Sequence, residues 1–561
     1  MKLPFLLLLV SSAADAVAST IVPYTIDADQ AAAGEPFDGF VSYSIEFSSF
    51  PDFAGNKSQP NVYSNNLLEN IGDLIGTKPY IRVGGNTQDY ALYNASLPFA
   101  LNGTYNLNKS PDYPTTIFIG PSYFESYSTW NATKFSHGFN LGLGGNNSEG
   151  WQTLLDTAPL ACKALSHDNF YLWEYGNEPD LYSTSAQGPV RPSNWNETTY
   201  VSQWLNGTRH ILERIQQHCP ELAAKASYGY MAPSLAGTNG HLKAIVAWQD
   251  GLNTDKDIKM FSTHNYISGA TSPGVTLQGT LMNHGTTMRS VNSHITEYNN
   301  VKAIDPSVPP LIMGETNSLY NQGKPGLSNS FGAALWGVDF NLYCASVGIK
   351  RVHMHMGTNY RYASWQPIET DKASLGTKAP YYGNIAVAAM MGDLTASSTS
   401  IIHIPLDSDR EAAYAAYVGE TGSDKTLARI LVINFNGYNT TVNGAGEVSL
   451  PDDQILPRQS KNYTFAVSGI SAGTRSLIQR RAGVPRPKKI AVQRLWANGS
   501  DAITGITWDG WSYNYELDNG RPVRLHNVTV GETVTLGCNG QVTVNVPDSS
   551  AVLLNLAPGG K

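Results

Sequence analysis

The stretch "FYLWEYGNEP" (170–179) is an apolar, aromatic run that ends abruptly in Asn177-Glu178-Pro179. Aromatic residues favour strands, and a proline cannot donate to a sheet ladder, so the strand stops about where Glu178 begins. A carboxylate therefore sits where the chain leaves a sheet. Seven similar runs recur: "FDGFVSYSIEF" (37–47), "PYIRVGG" (79–85), "HGFNLGLGG" (137–145), "KASYGYMAPS" (225–234), "KMFSTHNY" (259–266), "PLIMGETN" (310–317) and "KRVHMHMG" (350–357). Amphipathic helix candidates lie between several of them, such as 201–218 and 330–348. Strands alternating with helices predict a parallel α/β sheet. A count of eight over this span favours a closed (β/α)8 TIM barrel over a doubly wound sheet. One further run, "TTIFIGPSY" (115–123), competes for a place among the eight.

After about residue 385 the texture changes. "IIHIPL", "AAYAAYVG", "ARILVINFN", "NYTFAV", "IAVQRLWA", "TVTLG", "QVTVNV" and "AVLLNLA" follow one another without helical partners, which predicts an antiparallel β-sandwich. The expected division is a leader at 1–18, an N-terminal segment at 19–36, a barrel at 37–385 and a β-domain at 386–561. Within the second of these, "TIVPYTID" (20–27) could add a strand to the sandwich. A chain of 561 residues is too long for one ordinary core, in keeping with this division. "RRAGVPRPKK" (480–489) reads as a solvated connection, with Arg480-Arg481 as a possible processing site.

Composition narrows the function classes. With 41% hydrophobic and 15% charged residues the chain is globular rather than disordered. A formal net charge of −8 argues against nucleic acid as a main partner. At the N-terminus Lys2 precedes an apolar run at 3–10, and Ala16-Val17-Ala18 has the small-x-small form of a signal-peptidase site. A secretory signal peptide cut near Ala18 is expected. The run is too short to span a bilayer, and no later stretch is long and apolar enough, so no membrane partner is expected. Sequons at Asn56, Asn94, Asn102, Asn108, Asn131, Asn146, Asn196, Asn206, Asn439, Asn462, Asn498 and Asn527 fit a secreted, extracellular glycoprotein. Cys162, Cys219, Cys344 and Cys538 allow at most two disulfides and match no zinc spacing; free buried thiols read equally well.

In a barrel of this kind, functional groups gather at the C-terminal ends of the strands. Glu178 ends the fourth strand candidate and Glu315, in "PLIMGETN", ends the seventh. Two carboxylates across one cleft suit the hydrolysis of a glycosidic bond: one protonates the leaving oxygen, the other serves the anomeric carbon. Retention of configuration needs a separation of about 5–5.5 Å, inversion roughly 6.5–9.5 Å. One negative charge beside the other would also raise the pKa of the acid while its partner stays ionised. The plain alternative is a helix-capping Glu178 and a Glu315 paired with an arginine. Asn177, beside the acid, could hydrogen-bond a sugar 2-hydroxyl or simply form a turn. Asn86 and Gln88 follow two glycines that allow close approach to a sugar, or that build a tight turn. His353 and His355 share one strand face, as metal ligands might, but no third ligand is apparent and no metal or other cofactor is expected. "TWDGWSYNYEL" (507–517) could stack sugars or fill the sandwich core.

"WEYGNEP" (173–179) with "LIMGETN" (311–317) resembles the clan A glycoside hydrolases. Together with "YIRVGGNTQDY" (80–90), "THNY" (263–266), "GETNSLY" (314–320) and "GTNYRYASWQP" (357–367), it is most similar to glycoside hydrolase family 79, which contains β-glucuronidases and heparanase. The resemblance runs through essentially the whole mature chain. It implies a retaining mechanism, with Glu178 as acid/base and Glu315 as nucleophile. It also implies that Tyr266, alternating with His264 at the end of strand six, holds the nucleophile (barrel packing being the other reading), and that Glu46 accepts from distal sugar hydroxyls. A glucuronate carboxylate would be bound by Tyr320, by Asn321 and Gln322, and by Tyr360 or Tyr362. Asn321-Gln322 stands where heparanase has Gly-Gly, which favours a closed pocket and exo cleavage of a terminal β-linked glucuronic acid, 4-O-methylated or not. An endo-acting β-glucuronidase and a non-catalytic carbohydrate-binding protein are the alternatives; in each the partner is a carbohydrate.

Overall fold

The computed structural model describes residues 24–27, 29–30, 35–185, 188–421, 425–468 and 488–556. The expected leader (1–18) and residues 480–487 of the basic loop lie outside the described residues. Eight strands close a barrel in sequence order: β1 (Val41–Glu46), β2 (Ile81–Gly84), β3 (Phe135–Phe139), β4 (Phe170–Tyr175), β5 (Tyr230–Leu235), β6 (Ile258–Gly269), β7 (Leu311–Tyr320) and β8 (Val352–Met356). All neighbours are parallel, including β8 with β1. Among the described residues the α-helices of six or more residues are α1 (Val62–Ile75), α2 (Ser148–Ala164), α3 (Glu197–His218), α4 (Ala244–Gln249), α5 (His284–Ile304), α6 (Phe331–Ser346) and α7 (Ala379–Met391).

Each expected barrel strand is present, with local differences. β3 begins at Phe135 and ends at Phe139, earlier than its apolar run. The remainder turns because Asn140 Oδ1 accepts the Leu143 and Gly144 N–H groups at 2.8 and 3.3 Å. The competing run supplies Thr116–Ile119 to a separate three-stranded sheet with Ala91–Tyr93 and Leu101–Thr104, so it displaces no barrel member. β6 and β7 continue past the barrel rim, still paired as far as Gly269 and Tyr320, and raise a wall beside the mouth.

The late strands form a long antiparallel sheet from Ser398–Ile404 onward. A smaller sheet joins Ser460–Ser468 to Gln541–Pro547 and, in parallel, to Tyr24–Asp27. Val432, Phe465, Val544 and Leu554 from the two sheets share one core. α6 and α7 are apolar on nearly every face because they are buried between barrel and β-domain. The first N–H groups of α6, at Phe331 and Gly332, donate to Ala502 O and Ser500 O at 2.8 and 2.7 Å, so the β-domain caps a barrel helix. α7 itself runs across residue 385. In 507–517, Trp508 and Tyr513 are buried, and Tyr513 meets Tyr381 and Tyr382 of α7 at 5.5 and 5.7 Å between ring centres, so these two rings are packing.

Cys162 and Cys219 form a disulfide that ties the end of α2 to the end of α3. Cys344 is buried in α6 and Cys538 lies at the surface of the β-domain. Every sequon asparagine is exposed except Asn56, which is half-buried.

Candidate active site

A cavity of about 1030 Å³ opens at the C-terminal ends of the strands and is lined by both Glu178 and Glu315. Glu178 follows β4 with φ 49° and ψ 53°, in the left-handed region that non-glycine residues rarely occupy. Its N–H donates to Ser234 O on β5 at 3.0 Å, which helps to hold this conformation. Glu315 lies within β7, and the register of the barrel sets it directly beside His264 of β6. One ligand atom each from Glu178, His264 and Glu315 lies within 4.8 Å of the other two. The two carboxyl groups thus share one small volume. Among the described residues this is the group that could ligate a cation, which would have to compete with Arg82 for Glu315.

The surroundings push the two acids apart. Burial raises the pKa of Glu178 well above the carboxylate range, and the charge of Glu315 raises it further against the opposing pull of Arg82 and His355. Burial would raise Glu315 as well, but His355, His264, Arg82 and the Tyr266 hydroxyl outweigh it and hold Glu315 ionised. His264 is pushed down to about 4 by its own burial, so near neutral pH it adds no charge beside Glu315; burial would lower His355 too, but Glu315 and Glu46 outweigh it and raise its pKa. Arg82 Nη1 donates to Glu315 at 2.5 Å, and Tyr266 OH donates to Glu315 Oε1 at 2.7 Å. His264 Nδ1 lies 3.1 Å from Glu178 Oε1.

Arg82 is the residue the sequence reading passed over. It is fully buried under the site, with Nε on Glu174 at 2.7 Å, Nη2 on Asn177 Oδ1 at 2.7 Å and Nη1 also on Ser44. A signal was present: an arginine in the middle of the apolar run "YIRVGG" must be buried, and a buried charge needs partners. His355, weighed in the sequence only as a metal ligand and set aside, sits 3.5 Å from both Glu46 and Glu315. His353 turns away, its Nδ1 3.0 Å from Met313 O.

Most of the other candidates reach the cavity. Glu46, Asn86, Asn177, His264, Tyr266, Tyr320, Asn321, Gln322 and Tyr362 all line it. Glu46 Oε1 accepts from the Thr87 N–H and hydroxyl at 2.9 and 2.6 Å. The Asn177 amide donates to Asn86 Oδ1 at 3.2 Å. Two candidates lie behind the wall. Gln88 is buried, with Nε2 on Phe139 O at 3.4 Å, because the glycines at 84 and 138 leave room for its amide against the barrel backbone. Tyr360 is also buried and donates to Glu46 Oε2 at 2.9 Å, which leaves Tyr362 as the tyrosine from this loop that faces the cavity. Tyr320 is 47% exposed at the top of the β6–β7 wall, and Asn321 and Gln322 follow it with φ of 61° and 59°. Arg361 grips both oxygens of Asp112 at 2.6 and 2.8 Å, fastening the loop that carries Tyr113, a cavity residue, to the loop after β8.

Comparison with known proteins follows the same lines. Residues 413–553 match the glycosyl hydrolase family 79 C-terminal beta domain. The chain is 60% identical over 557 residues to a beta-glucuronidase of Neurospora crassa, covering 96% of this chain and 97% of that one. A beta-glucuronidase of Aspergillus niger is 53% identical over 524 residues, covering 92% and 90%. Among solved structures, a 4-O-alpha-L-rhamnosyl-beta-D-glucuronidase from Fusarium oxysporum superposes with a TM-score of 0.70 at 21% identity, over 95% of this chain and 100% of that one. A family 51 alpha-L-arabinofuranosidase from Bifidobacterium longum follows with a TM-score of 0.56 at 11% identity, over 95% and 98%. These two share the fold.

Proposed function

The chain belongs to glycoside hydrolase family 79, and we propose that it is a retaining exo-β-glucuronidase acting on terminal β-linked glucuronic acid. One observation carries the mechanism: oxygens of Glu178 and Glu315 lie within 4.8 Å of each other. That fits the carboxyl separation of about 5–5.5 Å used for double displacement better than the roughly 6.5–9.5 Å that inversion needs to seat a water. Glu315, held ionised by Arg82 and the Tyr266 hydroxyl, attacks the anomeric carbon while Glu178 gives its proton to the leaving oxygen. Glu178, now a carboxylate, then takes a proton from the water that releases the sugar. Asn177 is placed by Arg82 and Asn86 to meet the sugar 2-hydroxyl. Catalysis belongs to the barrel, which closes with α7; the β-domain that follows α7 buttresses α6 and α7.

Neutral donors on the β6–β7 wall suit the substrate carboxylate: the Tyr320 and Tyr362 hydroxyls, with the main-chain N–H groups of Asn321 and Gln322. Such donors bind an anion without the grip of an ion pair, which helps release of glucuronate. Among the described residues Arg289 is the one lysine or arginine lining the cavity, a poor match for an extended polyanion, and this favours the exo reading over an endo one. A panel of p-nitrophenyl β-glycosides tests the reading. We expect kcat/KM for the glucuronide to exceed that for the glucoside by roughly 10²-fold or more, since two or three hydrogen bonds to a charged group are at stake. Comparable rates on the two would remove the carboxylate-recognition argument, and no turnover on either would leave a binding protein.

The leader and the exposed sequons support a secreted, extracellular glycoprotein. The protein recovered from the medium of its own host is expected to begin near residue 19 and to lose mass on enzymatic deglycosylation. An intact Met1 and no loss of mass would reverse both statements.

A further inference from the structure

The three-stranded sheet beside the barrel has one face against the protein and one in water. Its strands lie in the order Ala91–Tyr93, Thr116–Ile119, Leu101–Thr104, so the last of them is an edge. Ile117 and Ile119 are buried, while Thr116 and Phe118, which alternate with them, are exposed. Across the antiparallel ladder Asn102 pairs directly with Phe118, and Leu92 pairs with Phe118 from the other side. Leu92, Phe118 and Asn102 therefore make one row on the outer face. Phe118 is 38% exposed, and Phe99, three residues before Asn102, is 66% exposed. An apolar ring in water beside an open strand edge is a liability that folded proteins ordinarily cover.

Asn102-Gly103-Thr104 is a sequon, and the alternation of the strand puts Asn102 and Thr104 together on this outer face, both exposed. Residues directly opposite in an antiparallel pair have Cβ atoms about 4.5–5.5 Å apart. A sugar carried on the Asn102 amide nitrogen thus starts within reach of the Phe118 ring. The first sugar of an N-linked glycan, N-acetylglucosamine, has an apolar face of C–H groups, and an aromatic ring offers them a negative, apolar face. Among the described residues the other sequon asparagine within a strand is Asn462, and its setting is different. It pairs with Asn545, whose amide donates to Asn462 Oδ1 at 2.8 Å, so a polar group stands where Asn102 has a ring.

We propose that Asn102 carries an N-linked glycan whose first sugar packs on the Phe118 ring, so that the glycan covers the exposed face and free edge of this sheet. The proposal rests on the reading of the chain as a secreted glycoprotein. It is tested on protein secreted from a eukaryotic host, as the parent, Phe118→Ala, Phe118→Leu and Phe118→Tyr. Peptide mass spectrometry reads the occupancy of each sequon, and the rate at which a peptide N-glycosidase releases each glycan from the folded protein is followed in the same sample. We expect Asn102 to be occupied. Release there, relative to the other occupied sites, should be about three- to tenfold faster in Phe118→Ala, the loss of one aromatic contact. Phe118→Leu, apolar but without a ring, should match Phe118→Ala, and Phe118→Tyr should match the parent; a merely structural role for an apolar residue would make Phe118→Leu resemble the parent instead. An unoccupied Asn102 among other occupied sequons overturns the proposal and leaves the glycoprotein reading intact. Release at the parent rate in Phe118→Ala or Phe118→Leu, or Phe118→Tyr as fast as Phe118→Ala, does the same. No glycan at any sequon overturns both.

Discussion

Glu315→Gln is expected to abolish turnover of every glycoside, with kcat lowered by on the order of 10⁴-fold or more, because no other group can capture the anomeric carbon. Glu178→Ala should behave differently. Aryl glycosides whose leaving group needs no proton should still react with Glu315, so the glycosyl-enzyme forms and its hydrolysis becomes slow. A glycosyl adduct on Glu315 should then be visible by mass spectrometry of the intact protein, and a small external nucleophile should release it. Loss on substrates with poor leaving groups should be far larger, and kcat/KM should become steeply dependent on leaving-group pKa. The pH profile adds an independent readout. Glu178 must carry a proton to act, and burial with the Glu315 charge holds its pKa high. The parent activity should therefore fall as pH rises through that raised value, well above the ordinary carboxylate range, and Glu178→Gln should lack this alkaline limb. Identical leaving-group dependence in the Glu178 and Glu315 variants, or an alkaline limb that survives in Glu178→Gln, would reverse the division of roles.

Arg82→Ala is expected to cost stability and activity together. The guanidinium is enclosed by Glu174, Glu315, Asn177 and Ser44, all buried. Removing one partner of a buried ion pair leaves its counter-charges uncompensated, at a cost of about 3–5 kcal/mol. Denaturant unfolding should show this as a lower midpoint. The second effect has a definite sign. The folded-state pKa of Glu315 is depressed, so the stability and the nucleophile that depend on its charge are present above the ordinary carboxylate range and lost as pH falls through the folded value. Without Arg82 that value moves up, and the acid limb of kcat/KM should begin at a higher pH. Arg82→Lys should restore part of the charge but not the fork that meets Glu174, Glu315 and Asn177 at once. An Arg82→Ala variant with unchanged midpoint and acid limb would show that His355 and Tyr266 hold Glu315 without it.

The parts of the site that were legible in the sequence are those declared by position along a strand. Glu178 and Glu315 stand at strand ends marked by "NEP" and "GETN", and a barrel sends such positions to one rim whatever fills the rest. Neighbouring candidates were less legible because a side chain's direction is not local. Gln88 and Asn86 share one short turn, yet one packs behind the wall and the other faces the cavity. Tyr360 and Tyr362 differ by two residues, and only the position of Glu46, far away in the chain, turns Tyr360 into its anchor. The disulfide had several possible pairings among four cysteines until α2 and α3 lay side by side.

Hydrophobic period and turn chemistry act over a few residues, so the chain by itself was enough to specify eight strands, their order, the change to β-structure after α7 and two acids at strand ends. Which groups touch those acids was settled by strand register and burial, which arise only when segments hundreds of residues apart close into a ring. The pairing of β6 with β7 puts His264 beside Glu315, and closure brings Arg82 of β2 under both. Burial then gives one carboxyl a proton, while His355, His264, Arg82 and the Tyr266 hydroxyl deny it to the other, because electrostatic energies depend on distance and on excluded water rather than on sequence neighbours.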